Sequence, residues 1–150
     1  MPAAVEPTEK SPTPVTDGAA SPANARRPIA PRVWGAVALL FGLLTLKEGT
    51  AVLFTEAARQ EAGHFVPFVL WFNVLAAFAY VAAGPGLWAS RPWATRLAMA
   101  LAATNLLVFA ALGVHVALGR PYELRTVAAM TLRSTFWIAA SIAARRRSAG

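Results

Sequence analysis

Four long apolar segments constrain this chain more than any other feature. They cover residues 33–55, 66–88, 93–118 and 126–144, with short polar stretches between them. A helix of about 20 apolar residues, rising about 1.5 Å per residue, crosses the roughly 30 Å hydrocarbon core of a bilayer. Membrane-spanning strands are excluded, because an open sheet leaves backbone groups unpaired in lipid and the sequence shows no long alternating pattern. We therefore predict an all-α fold, a bundle of four transmembrane helices.

The composition supports a membrane protein and argues against a nucleic-acid partner. The chain is 57% hydrophobic and 14% charged, whereas soluble domains average about 45–50% and about 25%. A net charge of +7 would suit nucleic-acid phosphates. The arginines, however, flank the apolar segments, as at positions 26–27 and 145–147, which is typical of topology signals and contact with anionic lipid. The chain has no cysteine, which excludes disulfides and thiolate metal sites.

The chain divides into a tail and a membrane domain. Residues 1–32 are rich in proline and alanine and nearly free of large apolar side chains, so we expect a disordered cytoplasmic tail, followed by the membrane domain over residues 33–150. Arginines are denser before the first segment, in the second loop and after the last segment than in the first and third loops. The positive-inside rule then places both termini in the cytoplasm. Together with the alanine and arginine content, this predicts a multi-pass protein of the bacterial inner membrane.

Charged and polar residues interrupt the apolar segments at similar depths. Lys47 and Glu48 lie in the first segment and Arg133 in the last, and a charge near the bilayer centre costs roughly 2.5–3.5 kcal/mol. Counting along the helices places Glu48, Asn73 and Arg133 roughly 10 Å below the outer surface. His115 lies near the outer end of the third helix. We predict a polar layer in the outer half of the bilayer.

Helical spacing groups these residues with small and polar neighbours on one face of each helix. Such faces normally point into a membrane bundle, and we expect the four faces to meet. They comprise Thr45, Glu48, Val52 and Thr55; Asn73, Ala77, Tyr80 and Gly84; Thr104, Val108, Ala111 and His115; and Thr126, Met130, Arg133, Trp137 and Ser141.

The polar layer has two interpretations that the sequence leaves open. It is either a binding site or a structural lock that fixes helix register, and in both Glu48 pairs with Arg133. Lys47 points about 100° away from Glu48 and can extend towards the interface. In the binding interpretation the pocket and its outer lid are completed by Asn73, His115, Tyr122 and Glu123.

Two histidines raise the question of a metal or a haem. His64, His115 and Glu61 all fall on the outer side, and such side chains can ligate a divalent metal or, for the histidines, a haem iron. His64, however, lies in a loop, whereas axial haem ligands face each other within a bundle. We therefore predict no metal and no cofactor, and assign both histidines to hydrogen bonding or the interface.

The residues Lys47 to Gly49 and the stretch Gly84 to Arg96 carry a family resemblance. A charge within the first helix, a glycine-rich turn after the second and a basic, tryptophan-containing inner loop resemble the DoxX-like group of small bacterial four-helix membrane proteins. The cluster Tyr122 to Thr126 is not part of that pattern. The resemblance implies a small inner-membrane protein, often accessory to redox or stress systems, and assigns a role to no residue.

Three functions follow from these features. The first is a non-catalytic accessory protein or subunit, whose partners are the lipid bilayer and either another membrane protein or a second copy of the chain. The second is a protein that binds or transports a small molecule, a quinone or an ion through the polar layer. The third is a haem-binding membrane redox protein.

Overall fold

The computed structural model describes residues 29–148, in which all regular structure is helical. The predicted tail therefore lies outside the described residues up to position 28. In chain order the helices are α1 (Ile29–Phe54), α2 (Glu56–Ala62), α3 (Pro67–Trp88), α4 (Pro92–Ala117) and α5 (Leu124–Ser148). Helices α1, α3, α4 and α5 are long and apolar enough to cross a membrane. The prediction of an all-α bundle of four transmembrane helices is confirmed.

The helix boundaries lie within a few residues of the predicted segments. Helices α3 and α4 each have a proline in the first turn, Pro67 and Pro92, where its missing N–H would have no intrahelical partner. The glycine–proline–glycine stretch at 84–86 lies near the carboxyl end of α3, which continues to Trp88. Pro85 has no N–H with which to bond the carbonyl of the preceding turn, but only three helical residues follow it, so the disruption is confined to the end of α3. The Pro85 carbonyl accepts a hydrogen bond from the Ala89 N–H at 2.9 Å.

Helices α1 and α3 pack backbone to backbone. Gly35, Gly42 and Gly49 recur every seven residues on the buried face of α1. A Cβ atom added at Gly35 would lie 2.6 Å from the carbonyl oxygen of Gly84, and one at Gly42 would lie 2.8 Å from the backbone nitrogen of Val81. Small residues permit this close approach. The resulting van der Waals packing holds the helices together in lipid, where no hydrophobic driving force acts between them.

The four long helices form two pairs. Helix α1 packs on α3 and helix α4 on α5, and a contact between α3 and α4 joins the pairs. Large side chains fill the remaining gap between α1 and α5. The Phe136 ring lies 5.7 Å from that of Trp34 and 5.5 Å from that of Phe41, between ring centroids. These aromatic contacts close the gap between α1 and α5 at the end of the bundle that carries the α3–α4 loop.

The other end of the bundle, here called the α2 end, is closed by its loops. The His64 N–H donates to Glu123 Oε1 at 2.9 Å, and Arg125 Nη2 donates to the Glu61 carbonyl oxygen at 3.1 Å. Gly63 has a φ of 64°, and a Cβ there would lie 2.6 Å from Glu123 Oε1. This pair of interactions, here called the loop clasp, ties the first loop to the start of α5.

Candidate ligand-binding cavity

A cavity of about 310 Å³ lies between α1, α2, α3 and α5. It lies next to the loop clasp, at the α2 end of the bundle and beyond the aromatic contacts between α1 and α5. Its apolar wall includes Val52, Phe65, Val69 and Leu70. Its polar lining includes Thr45, Glu48, Asn73, Arg125 and Arg133. The structure thus brings together three residues of the predicted polar layer, Glu48, Asn73 and Arg133.

Arg133 is a largely unsatisfied cation at this cavity. Its Nη2 donates to Thr45 Oγ1 at 3.4 Å, and its Cζ lies 5.7 Å from the centroid of the Phe41 ring, within the range of a cation–π contact. The Nε atom is buried and has no hydrogen-bond partner. A guanidinium has five N–H donors, so the side chain is positioned by its neighbours while most of its hydrogen-bonding capacity is unused.

Asn73 contributes an unsatisfied acceptor to the same cavity. Its Oδ1 atom is buried without a hydrogen-bond partner. A buried polar atom left unpaired costs about 1–3 kcal/mol. The penalty is high because the surroundings have a low dielectric constant. Arg133 and Asn73 thus line one cavity, and each has a buried polar atom without a hydrogen-bond partner.

The predicted ion pair between Glu48 and Arg133 does not occur within residues 29–148. The Glu48 Oε1 atom instead lies 3.9 Å from Lys47 Nζ, and the two side chains are 75% and 78% exposed. Glu48 stands at the rim of the cavity, whereas Arg133 turns towards Thr45 and Phe41. Lys47, the residue before Glu48, is within reach of its carboxylate, so Glu48 has a counter-charge without Arg133.

His115 does not join the polar layer, although its predicted depth was similar. Its Nε2 atom lies 3.1 Å from the Pro121 carbonyl oxygen, and its ring packs edge-on against Phe68 at 6.0 Å. His115 belongs to α4, the one long helix that contributes nothing to the cavity lining. Two residues expected in the lid also lie outside that lining: Tyr122 is exposed, and Glu123 forms the loop clasp.

The inward face of α4 differs from the predicted one. Thr104 and Ala111 are exposed, and the buried residues are Ala94, Ala98, Leu101, Ala102, Asn105 and Leu112. The predicted face of α5 agrees with the structure, which buries Met130, Trp137 and Ser141. The three-to-four-residue spacing of Ala94, Ala98, Leu101 and Asn105 carried the correct α4 signal.

An interhelical hydrogen bond that the sequence reasoning missed locks α3 to α4. The Tyr80 hydroxyl donates to Asn105 Oδ1 at 3.0 Å, and Asn105 Nδ2 donates to the Leu101 carbonyl oxygen at 2.7 Å. Both side chains are 0% exposed. The contact of Tyr80 with Asn105 is therefore a structural polar lock between α3 and α4, separate from the cavity.

The weak metal candidates are not assembled into one site. His64 Nδ1 lies 3.6 Å from Glu123 Oε1, while His115 contacts Pro121. Within residues 29–148, no group of three or more histidine, aspartate or glutamate side chains is placed to hold a metal ion. Glu61 instead offers its backbone carbonyl to the loop clasp.

Comparison with known proteins adds no family to this description. The chain matches no protein-family model, no curated protein sequence and no solved structure. The fold and the cavity define its class: an all-helical, multi-pass membrane protein with a small polar cavity between its spans. The resemblance to the DoxX-like group stays a prediction.

Proposed function

We propose that this protein binds a small amphiphilic molecule in the cavity and is not itself a catalyst. The observation that carries the proposal is that Arg133 and Asn73 line one cavity and that each has a buried polar atom, Nε and Oδ1, without a hydrogen-bond partner. Each unpaired group is destabilising by itself. A ligand that supplies an acceptor to Arg133 and a donor to Asn73, reached by a small turn of each side chain, removes both penalties. An accessory role in a larger membrane system is compatible with such binding and stays a prediction.

The lining also limits the chemistry of the ligand. The lining carries two glutamates, Glu48 and Glu61, and two arginines, Arg125 and Arg133, and a cation placed next to Arg133 would meet a like charge. A phenolic hydroxyl of a quinol both accepts and donates and can pair with Arg133 and Asn73 together, whereas a carboxylic acid beside the guanidinium ionises and its carboxylate accepts from Arg133. A volume of about 310 Å³ lies at the lower end of small-molecule pockets, about 300–1,000 Å³. The cavity therefore fits a compact head group and a few carbons of its chain.

The proposed location follows from the charges at the two ends. Exposed arginines cluster at the end opposite α2, including Arg91, Arg96, Arg145 and Arg146. By the positive-inside rule this end faces the cytoplasm, in a bacterial inner membrane, with both termini on the same side. The α2 end then faces outward, and the cavity lies in the outer half of the bilayer.

Thermal unfolding of the purified full chain in nanodiscs tests the proposal. The probes are decanoic acid and a short-chain alkyl hydroquinone, with dodecyltrimethylammonium as a cationic amphiphile. We expect one of the first two to raise the Tm of the wild type by several degrees, because a ligand that binds the folded state stabilises it. Arg133→Met should abolish the shift. Arg96→Met removes an exposed arginine at the other end and should preserve it.

Two results would contradict the proposal. One is an equal Tm shift in the wild type and the Arg133→Met variant. The other is a shift by the cationic amphiphile as large as that by either acceptor-bearing probe. Asn73→Leu separates the two halves of the site, because it should weaken the response to the hydroquinone while leaving Arg133 in place.

A further inference from the structure

Helix α1 carries a second heptad pattern on the face that no other helix covers. Val33, Val37, Leu40 and Leu44 follow one another at intervals of four, three and four residues, and their exposed fractions run from 41% to 58%. We call this set the α1 seam. The glycine face that packs on α3 lies on the opposite side of the helix. A repeat of alternating three and four residues is the spacing by which two helices pack along a left-handed supercoil.

Opposite charges stand on the two edges of the α1 seam. Consecutive residues of a helix point about 100° apart, so Lys47 lies on one edge and Glu48 on the other. They are one turn beyond Leu44 and roughly 9–10 Å from the end of α1 at Phe54. Within one chain their contact is a stretched one, 3.9 Å, and both side chains are at least 75% exposed. Charges at this depth normally face a partner group or a polar cavity.

We propose that the α1 seam is the interface of a homodimer, in which Lys47 of each copy pairs with Glu48 of the other. All copies of a membrane protein share one orientation, so two copies related by a two-fold axis along the membrane normal place identical residues at identical depth. Such an axis, passing beside the seam, sets the Lys47 edge of one α1 against the Glu48 edge of the other, twice. A two-fold interface requires a self-complementary patch, and a plus–minus pair flanking an apolar seam is one.

The dimer also bears on the cavity. Glu48 belongs both to the cavity rim and to the seam edge, so the dimer brings Lys47 of the second copy to the mouth of each cavity. The interface itself rests on the exposed face of α1 and not on the binding of a ligand. A failure of ligand binding would leave the dimer prediction standing.

Crosslinking of the full chain in lipid vesicles tests the interface directly. The protein has no cysteine, so Leu44→Cys gives a single reactive site on the seam. Leu107→Cys is the matched control, because Leu107 is 70% exposed on the middle of α4. At high lipid-to-protein ratio, a short bismaleimide should link Leu44→Cys into dimers at least tenfold more efficiently than Leu107→Cys. Equal crosslinking of the two variants would overturn the proposal.

Charge exchange in the Leu44→Cys background tests the pairing. Lys47→Glu or Glu48→Lys alone places like charges opposite each other and should reduce crosslinking at least tenfold. An equal mixture of the two variants, or both changes in one chain, restores opposite pairs and should recover most of it. Undiminished crosslinking in the single variants would refute the ion pairs, and so would losses that neither combination repairs.

Discussion

Removing the hydroxyl of Tyr80 should destabilise the bundle through Asn105, not through lost packing. In Tyr80→Phe the ring keeps its contacts with Trp137 and Phe41, at 4.9 and 6.1 Å between centroids. What changes is one buried hydrogen bond of 3.0 Å, which leaves Asn105 Oδ1 without a donor. Interhelical hydrogen bonds in membranes are worth about 0.6 kcal/mol on average and about 1.7 at most, and an orphaned buried acceptor costs about 1–3. We expect a loss of about 1–2 kcal/mol.

The double-mutant cycle distinguishes this mechanism from general damage. Asn105→Leu should lose about 2 kcal/mol, because it removes two hydrogen bonds and leaves the Tyr80 hydroxyl buried and unpaired. Combining it with Tyr80→Phe leaves no orphaned group at either position. The double variant should therefore be more stable than the sum of the single losses by about 1 kcal/mol, well above the roughly 0.3–0.5 kcal/mol scatter of independent sites.

The assay is equilibrium unfolding of the purified protein in mixed micelles of dodecyl maltoside and SDS, followed by circular dichroism. Thr104→Val provides the control, because Thr104 is exposed and its hydroxyl bonds only to its own helix, at the Ala100 and Leu101 carbonyls. It should change stability by less than about 0.5 kcal/mol. Additive losses in the Tyr80 and Asn105 variants would refute the interhelical lock.

Two further predictions concern glycines that meet a neighbour and glycines that do not. Gly42→Ala should lower the free energy of unfolding by roughly 1–3 kcal/mol in the same assay, since its Cβ would press on the α3 backbone. The Cβ of Gly113→Ala meets nothing within 4 Å, so this variant should gain roughly 0.5–1 kcal/mol of stability. A change of the same sign in both variants would contradict the packing of α1 on α3. Gly63→Ala should open the loop clasp, because φ is 64° there and an added Cβ would lie 2.6 Å from Glu123 Oε1. Hydrogen exchange at the His64 amide should then accelerate. Gly119 is also at positive φ but has no neighbour, so Gly119→Ala should leave exchange at His64 unchanged. Unaltered exchange at His64 in Gly63→Ala would refute the clasp.

The membrane-spanning helices could be predicted from the sequence because apolar length alone specifies them. The short helix α2 could not, since seven residues (Glu56–Ala62) are too few to show a periodicity. Its position matters nevertheless, because Ala58 and Ala62 on it line the cavity. A segment that reads as a polar loop thus supplies one wall of the site.

Counting residues along a helix gave depth but not position around the bundle. Asn73 and Arg133 line the same cavity because their helices both border it. His115 has a comparable depth on the wrong helix, and nothing in one sequence states that α4 stands away from the gap between α1 and α5. The direction of long side chains was equally hidden, so Glu48 was matched to Arg133 instead of its own neighbour Lys47.

The pairing of the helices has a consequence for assembly. Helices α1 and α3 are consecutive spans that can associate as soon as both are in the bilayer, and α4 with α5 can do the same later. The cavity belongs to neither hairpin, because Arg133 on α5 must come to rest beside Thr45 on α1, elements 88 positions apart in the chain. The site is therefore completed only when α5 docks against α1. A nascent chain released before α5 would hold a well-packed hairpin and no binding cavity.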